Sequence, residues 1–298
     1  MDINGPFLGS EALAAGLVNR YQLSTRFEPV FRGVYVPRGH EVTALTRARG
    51  AWLFSGRRAV VGGFSAAALH GSRWISAARP AELFQPSRFR AGGLILHSDE
   101  LLDEEITLVA GIRVTTPART AFDLGRRGAP GRRGDLRRCT PTAAVVAVDA
   151  LMNATGCKPA DIAVVVDQHA GARGVVQTRD VIELADGGAE SPQETRTRLI
   201  LTTAGLRPET QIEVYDDSGC FVARLDMGWR PWRVAVEYDG AQHWTDPAQR
   251  TRDIDRWAEL EALGWRIIRV SYDMLTYRPA TVVARAVAAL HAAGWVST

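Results

Sequence analysis

The stretch RLDMGWRPWRVAVEYDGAQHW, residues Arg224–Trp244, decides the fold of the C-terminal part of the chain. Val234–Val236 is typical of an interior strand, yet Glu237 and Asp239 follow at its end. Carboxylates at the end of an apolar strand need a partner, because an unpaired buried charge is costly. The stretch therefore predicts a strand end that carries a polar site.

A second acid, Asp226, lies on the preceding predicted strand, Phe221–Met227. Because side chains alternate along a strand, Arg233, Ala235, Glu237 and Asp239 share one face. With the first strand ending at Met227, a plain hairpin would keep Asp226 and Glu237 apart. We therefore expect an intervening loop or a strand bend to bring the two acids together.

The elements around this stretch predict an α/β (α+β) fold with a mixed sheet. A first helix is indicated by Ser191 as N-cap, Pro192 in the first turn and Gly205 at the end. Strands are then predicted for Gln211–Tyr215, Phe221–Met227 and Arg233–Asp239, followed by a helix that Asp246 caps and Gly264 ends, a strand at Trp265–Tyr272 and a last helix. The order is helix, three strands, helix, strand, helix.

This order and the acids resemble the PD-(D/E)XK nuclease superfamily, and within it the very-short-patch-repair-like endonuclease domains. The resemblance covers residues 190–293 and rests on VAVEYDGAQHW and RDIDRWAELEALGWRIIRV. It implies a restriction-endonuclease-like αβββαβ core. It also implies hydrolysis of phosphodiester bonds in DNA, in repair or defence, with Mg²⁺ as cofactor and Mn²⁺ as an alternative.

The resemblance also implies the site residues. The expected metal ligands are Asp226, Glu237, the carbonyl of Tyr238 and an acid of the first helix, for which Glu194 and Glu190 are the candidates; the expected catalytic residues are Asp226, Glu237, Asp239, Gln242 and His243. Hard oxygen ligands suit Mg²⁺, which stabilises charge on phosphate and activates water. The superfamily motif ends in lysine, but here Asp239 stands at that position and the single lysine, Lys158, lies outside the domain. His243, Gln242 or Arg252 is expected to take the role of that lysine.

Several of these residues have a plain structural explanation as well. Ser191 and Glu194 fit a capping box, which explains the glutamate as well as a metal role does. His243 would also suit a surface position beside Trp244, and the acids could form a solvated strand end. A glycosidase would use paired carboxylates too, but the sequence shows no aromatic sugar platform.

The N-terminal part predicts a winged-helix-like unit. Ser10–Arg20 is typical of a helix capped by Ser10, and Pro29–Pro37 predicts two short strands around Arg32-Gly33. Arg26, Arg32 and Arg38 are the candidate DNA-binding residues of this wing. A plain hairpin with solvated arginines explains the same residues. Together with TPARTAFDLG, the stretch RGVYVP is similar to AbiEi-type antitoxin proteins.

These features divide the chain into five predicted segments. They are a winged-helix-like unit (1–40), a mixed α+β region (41–125), a basic linker rich in Gly, Pro and Arg (126–141), a helical connector (142–189) and the endonuclease-like domain (190–298). In the mixed region, His70 and His97 each lie beside apolar residues, so we expect structural roles for both.

Composition leaves two functions open. The net charge of +3 over 298 residues is compatible with nucleic-acid binding, and the three distant cysteines suit a reducing cytoplasm. No apolar stretch approaches the ~18 residues of a membrane span, so we expect a cytoplasmic protein with no membrane contact. The first hypothesis is a Mg²⁺-dependent endonuclease. The second is a non-catalytic, antitoxin-like DNA-binding regulator with DNA and a toxin-like protein as partners, and either could act as an oligomer.

Overall fold

The structure, a computed structural model, describes residues 2–85, 92–127, 141–240 and 247–296, with the backbone alone at 127 and 247–254. The chain forms two compact units, residues 1–185 and 186–298. Within the described ranges there are twelve α-helices and three sheets, so the predicted mixed α+β class is confirmed. None of the helices described is long and apolar enough to cross a membrane.

The first unit begins with a small antiparallel sheet and two helices. The strand order is β1-β3-β2, with both helices between the first two strands of the chain. The elements are β1 (Phe7–Leu8), α1 (Gly9–Ala14), α2 (Arg20–Arg26), β2 (Phe27–Phe31) and β3 (Val34–Pro37). The predicted hairpin around Arg32-Gly33 is confirmed, since β2 and β3 pair on either side of it.

The single helix predicted for Ser10–Arg20 is wrong, because two helices occupy this region. The first ends at Ala14, and Leu8 rather than Ser10 is its N-cap. The second begins after Asn19, whose Oδ1 accepts the N–H of Gln22 at 2.8 Å, while the Gln22 side chain accepts the N–H of Asn19 at 2.9 Å. This reciprocal capping starts a new helix where the sequence pattern suggested a continuous one.

The rest of the first unit is a five-stranded mixed sheet with helices. The strand order is β6-β5-β4-β8-β7. The elements are α3 (Ala44–Phe54), β4 (Val60–Val61), α4 (Gly63–Leu69), β5 (Ala81–Phe84), β6 (Leu94–His97), β7 (Ile106–Val109), β8 (Ile112–Thr115), α5 (Pro117–Arg127), α6 (Pro141–Thr155), α7 (Pro159–Gln168) and α8 (Val175–Leu184). Most of the predicted linker, residues 128–140, lies outside the described residues.

Both histidines of this region have structural partners, as expected. His70 Nε2 lies 2.7 Å from the carbonyl oxygen of Thr115. His97 Nε2 lies 2.8 Å from Oε2 of Glu82. The same Glu82 accepts the N–H of Phe64 through Oε1 at 3.0 Å, so it also holds the start of α4.

A buried ion network crosses the first unit at α5. Arg119, which is fully buried, pairs through Nη1 with the carboxylate of Glu105 and through Nε with Asp123 Oδ2 at 3.2 Å. His169 Nε2 lies 2.7 Å from Oε1 of the same Glu105. Opposite charges that are buried together in this way compensate one another's loss of water, so each depends on the others.

The second unit is a four-stranded sheet flanked by helices. The strand order is β12-β11-β10-β9, antiparallel except for the parallel β11–β12 pair. The elements are α9 (Pro192–Thr203), β9 (Glu209–Tyr215), β10 (Phe221–Trp229), β11 (Val234–Asp239), α10 (Pro247–Ala262), β12 (Arg266–Ser271), α11 (Tyr272–Tyr277) and α12 (Pro279–Ala292). The sequence predicted this order except for α11, a short helix that Ser271 caps through its Oγ.

Two hydrophobic cores cover the two faces of this sheet. Val234 and Val236 belong to the core with Val282 of α12, whereas Ala235 belongs to the core with Leu260 of α10. Since alternate residues of a strand point to opposite faces, the sheet lies between the last helix on one side and α10 on the other. The face of α10 is therefore the face of Ala235 and Glu237.

Candidate functional site

Asp226 and Glu237 lie opposite each other on neighbouring strands. The β10–β11 register pairs Met227 with Val236 and Trp229 with Val234. One further step of the same register brings Asp226 opposite Glu237. At this step the backbone N–H of Tyr238 donates to Oδ2 of Asp226 at 2.9 Å.

Of the two expected means of bringing the acids together, an intervening loop or a strand bend, the structure does not use a long loop. The sequence placed the end of the first strand at Met227, but β10 continues to Trp229 and the connection is only Arg230–Arg233. The strand is longer because Gly228 lets the backbones of β10 and β11 lie close: a Cβ there would be 2.4 Å from the carbonyl oxygen of Val234. A tight hairpin is therefore sufficient to pair the two acids.

The regular alternation of β10 is broken at Asp226. Leu225 packs with Ala235 on the α10 face, whereas Met227 packs with Val236 on the other face. On the other neighbour, β9, the register places Gln211 opposite Asp226, and Gln211 has φ of 52°. A positive φ is uncommon for a non-glycine residue and marks a local distortion. Asp226 thus lies at an irregular point of an otherwise regular sheet.

The environment of Asp226 disfavours its charged form. Burial raises the pKa of Asp226 to about 7, and the nearby charge of Glu194 acts in the same direction. The hydrogen bond from Tyr238 and the charge of Arg256 lower the pKa by less. A carboxyl whose pKa is raised by burial and by another acid gains from a nearby cation.

Glu194 lies near Asp226 and bonds at the start of α9, where its carboxylate accepts the N–H of Glu190 rather than the N–H of Ser191 that the predicted capping box requires. Its own N–H donates to Oγ of Ser191 at 3.2 Å, which confirms Ser191 as the N-cap of α9. Its carboxylate accepts the N–H of Glu190 at 2.7 Å, one residue before the cap. Burial raises the pKa of Glu194. The glutamate therefore holds the start of the helix and adds negative potential at Asp226.

Glu237 is buried on the α10 face and contacts an arginine of that helix. It is 8% exposed, and its Oε2 lies 3.5 Å from Nη2 of Arg256. The guanidinium of Arg256 also lies over the ring of Trp257, 4.9 Å from the ring centroid. The buried carboxylate thus has a cation beside it, and an aromatic ring supports that cation.

Asp239, at the position where the resemblance leads us to expect lysine, is paired with a different arginine. Its Oδ2 lies 2.7 Å from Nη2 of Arg269 on β12. Arg269 is also the register partner of Glu237 in the parallel β11–β12 pair. Its Cζ lies over the Trp257 ring, 5.1 Å from the ring centroid. The position therefore carries a carboxylate with its own counter-ion.

The remaining candidates are not brought into this cluster by the described residues. Gln242 and His243 lie in 241–246, outside the described residues, and only the backbone of Arg252 is described. Arg26, Arg32 and Arg38 belong to the first unit, where all three are exposed. Arg38 donates to the carbonyl oxygens of Thr25 at 2.8 Å and Ser24 at 3.0 Å, so it closes the end of α2.

Among the described residues, no group of three or more His, Cys, Asp or Glu side chains is arranged to hold a metal ion. Glu194 accepts the N–H of Glu190, and Asp239 pairs with Arg269. Asp226 and Glu237 remain as the two acids at neighbouring positions of β10 and β11, next to the last register pair Met227–Val236.

Sequence reasoning missed Arg256 and Arg269. Spacing along one helix favours ion pairs of Arg256 with Asp253 and Asp255. In the structure Nη2 of Arg256 lies 3.5 Å from Oε2 of Glu237 on β11. Arg269 occupies an exposed position of the edge strand β12, where an arginine is ordinary, so the sequence gives no signal of its role.

Comparisons with known proteins agree with the fold of the second unit. The restriction-endonuclease-like family REase_MTES_1575 matches residues 195–290. This match identifies the C-terminal unit as a nuclease-like domain and implies DNA as its substrate. The matched range contains Asp226, Glu237, Asp239 and Arg256.

Two curated relatives extend over most of the chain. They are the uncharacterized proteins MT2308 and Rv2248 of Mycobacterium tuberculosis, each 32% identical over 258 residues, which is 86% of this chain and 89% of theirs. The chain belongs to the family of these mycobacterial proteins. No solved structure matches it significantly.

Proposed function

We propose that the C-terminal domain is a metal-dependent endonuclease that hydrolyses phosphodiester bonds in DNA. The observation that supports this most directly is the placement of Asp226 opposite Glu237 on β10 and β11, with the N–H of Tyr238 bound to Asp226. The match of residues 195–290 to a restriction-endonuclease-like family adds independent support.

The residues present fit Mg²⁺, with Mn²⁺ as an alternative. Mg²⁺ is usually held by one or two carboxylates and keeps several waters, so two carboxylates on neighbouring strands suffice. The proposed ligands are Asp226 and Glu237, with the Tyr238 carbonyl as a third. Burial and the charge of Glu194 raise the pKa of Asp226, which is the electrostatic situation that a cation relieves.

When bound, the cation would stabilise charge on the phosphate oxygens and activate a water molecule. In this chain, Asp226 and Glu237 would hold and orient the site from two rigid strands. Glu194 would keep the local potential negative from the start of α9. For His243, with an unperturbed pKa of about 6.5, we propose the role of a base that holds the attacking water, assisted by Gln242, Asp239 and Arg252.

The N-terminal unit supports a second component of the proposal, which is DNA binding outside the nuclease domain. Its strand order β1-β3-β2, with α1 and α2 between β1 and β2, suits a winged-helix-like unit. The helix α2 has the sequence RYQLSTR, which contains no acid. Arg26 at its end and Arg32 at the hairpin tip are exposed, and exposed arginines suit phosphate contacts.

The same unit favours the alternative function, a non-catalytic DNA-binding regulator. In that case the nuclease fold would serve as a binding or dimerisation module. The finer likenesses, to very-short-patch-repair endonucleases and to AbiEi-type antitoxins, belong to the proposal too. A cytoplasmic role in repair or defence and a toxin-like partner are also part of the proposal.

A nicking assay on supercoiled plasmid tests the nuclease proposal. We expect Mg²⁺- or Mn²⁺-dependent nicking by the wild-type chain and loss of at least ~100-fold in rate for Glu237→Gln and Asp226→Asn. Glu261→Gln and Asp217→Asn are matched controls, because both residues are exposed and lie outside the site. Specific DNA binding without cleavage by the wild type would favour the regulator instead.

A further inference from the structure

The arginine beside Glu237 has a position that the proposed chemistry can use. Its Nη2 lies 3.5 Å from Oε2 of Glu237, close enough for an ion pair but long for a hydrogen bond. The cation therefore lies directly beside one of the two proposed metal ligands.

Among the described residues, the support of Arg256 comes from stacking and charge. Its Cζ lies 4.9 Å from the centroid of the Trp257 ring, and Arg269 lies 5.1 Å from the same centroid. Nε of Arg256 is buried and has no hydrogen-bond partner among the described residues. Since its side chain is 33% exposed, the guanidinium is fixed in place while part of it faces solvent.

Arg269, the other arginine of this cluster, is already engaged. Its Nη2 lies 2.7 Å from Oδ2 of Asp239, which is the length of a strong charge-assisted hydrogen bond. Arg256 has the longer protein contact and lies beside Glu237. Of the two, Arg256 is therefore the one whose donors a substrate can recruit.

We propose that Arg256 binds the scissile phosphate and stabilises the negative charge that develops on its oxygens during hydrolysis. A planar guanidinium presents several donors to phosphate, and such a contact gains strength as charge builds up. The substrate class that this implies is a phosphodiester backbone whose phosphate approaches the α10 face of β11. This inference rests on the nuclease function proposed above.

The test compares Arg256→Gln and Arg256→Lys with Arg266→Gln in the full-length chain. Arg266 is an exposed arginine of β12, so it receives the same change in charge on the same sheet. We expect Arg256→Gln to lower the nicking rate at saturating DNA by about 100-fold or more, as loss of a charge-stabilising donor does. Arg256→Lys should retain an intermediate rate, and Arg266→Gln the wild-type rate.

A second measurement separates contact with phosphate from mere support of Glu237. Mn²⁺ binding is measured by calorimetry without DNA. If Arg256 acts on phosphate, Arg256→Gln removes a competing positive charge and Mn²⁺ binds as tightly as in the wild type or more tightly. If Arg256 only positions Glu237, Mn²⁺ binding weakens along with the rate, and that result overturns the inference.

The two proposals can fail separately. Wild-type protein that nicks DNA while Arg256→Gln nicks at the same rate overturns the role of Arg256 alone. Wild-type protein that cleaves no DNA with either metal overturns the nuclease function and, with it, this inference. If circular dichroism shows that Arg256→Gln does not fold, Arg256→Lys is the deciding variant. Lysine keeps the positive charge but lacks the planar guanidinium group. A wild-type nicking rate for Arg256→Lys would then contradict the inference.

Discussion

The backbone N–H of Tyr238 donates to the carboxylate of Asp226 across 2.9 Å, from one strand of a hairpin to the other. The side chain thus makes a bond that a backbone carbonyl would make in a regular antiparallel ladder. It ties the acid of β10 to the residue after Glu237 on β11. The relative position of the two acids is therefore fixed by the sheet itself and does not depend on a loop.

Asp226 should make stability depend on pH. Its pKa is raised from 3.8 to about 7, so the folded protein binds a proton that the unfolded chain releases. Stability should fall as pH rises from about 4 to 7, and the penalty should be complete above pH 7, with an upper limit of about 4 kcal/mol. We expect Asp226→Asn to be more stable than the wild type at pH 8 without metal and nearly equal at pH 4.5. Equal urea midpoints for the two proteins at both pH values would contradict this.

Divalent cations should stabilise the protein through the same pair. At about 100 times its dissociation constant, a ligand that binds only the folded state adds about 2.7 kcal/mol. We expect Mg²⁺ or Mn²⁺ at pH 8 to raise the melting temperature of the wild type and of Glu261→Gln. The increase should be small in Asp226→Asn and Glu237→Gln. An equal increase in all four proteins would place the cation elsewhere.

The buried network of α5 should be intolerant of change. Arg119→Gln removes the cation that Glu105 and Asp123 share and leaves Asp123 with Arg126 and Glu105 with His169. We expect a loss of about 3–5 kcal/mol in the free energy of unfolding, measured with urea. Arg57→Gln is the control, since the pair of Arg57 with Glu11 is exposed and should contribute far less. Similar losses in the two variants would mean that the network is not important for stability.

Gly228 should be required for the close approach of β10 and β11. A Cβ at this position would lie 2.4 Å from the Val234 carbonyl oxygen and 2.8 Å from the Ala235 Cα. We expect Gly228→Ala to cost about 1–3 kcal/mol by overpacking and to weaken metal-induced stabilisation by separating the acids. Gly219→Ala, at φ of +80° but with open space around it, should cost only about 1 kcal/mol and leave the metal effect unchanged.

Arg32 and Arg38 should behave differently in DNA binding. Arg32 lies exposed at the hairpin tip, so Arg32→Ala should weaken binding and reduce the slope of log affinity against log salt by about one. Arg38 bonds the last carbonyls of α2, so Arg38→Ala should lower stability by about 1 kcal/mol. Fluorescence anisotropy at several salt concentrations, with thermal melts beside it, distinguishes the two outcomes. Identical behaviour of the two variants in both measurements would refute this difference.

Local signals allowed much of the second unit to be predicted. Ser191 and Pro192 marked the start of α9, because capping is a short-range interaction that the sequence states directly. The order of strands and helices followed from turn residues and apolar runs in the same way. Local rules also led to error, as at Ser10, where the stronger cap at Asn19 starts a separate helix.

The pairing of the site could not be predicted because it depends on contacts between elements. The end of β10 was placed two residues early, and this hid the direct pairing of Asp226 with Glu237. Spacing along α10 favours partners for Arg256 on its own helix, yet Glu237, an ion-pair partner of Arg256, lies on β11. Register and helix packing decide such contacts, and both depend on tertiary structure.

The hairpin has a consequence for how relatives of this protein are recognised. Asp226 is three residues before the last residue of β10, and Glu237 is three residues after the first residue of β11. Because antiparallel pairing is counted outward from the turn, a longer or shorter Arg230–Arg233 connection that keeps Trp229 opposite Val234 would leave the acids opposite each other. The ten-residue spacing between the two acids is therefore set by the length of the turn and is not required by the site. A search for relatives should allow this spacing to vary, but should keep three residues from Asp226 to the end of β10 and three from the start of β11 to Glu237.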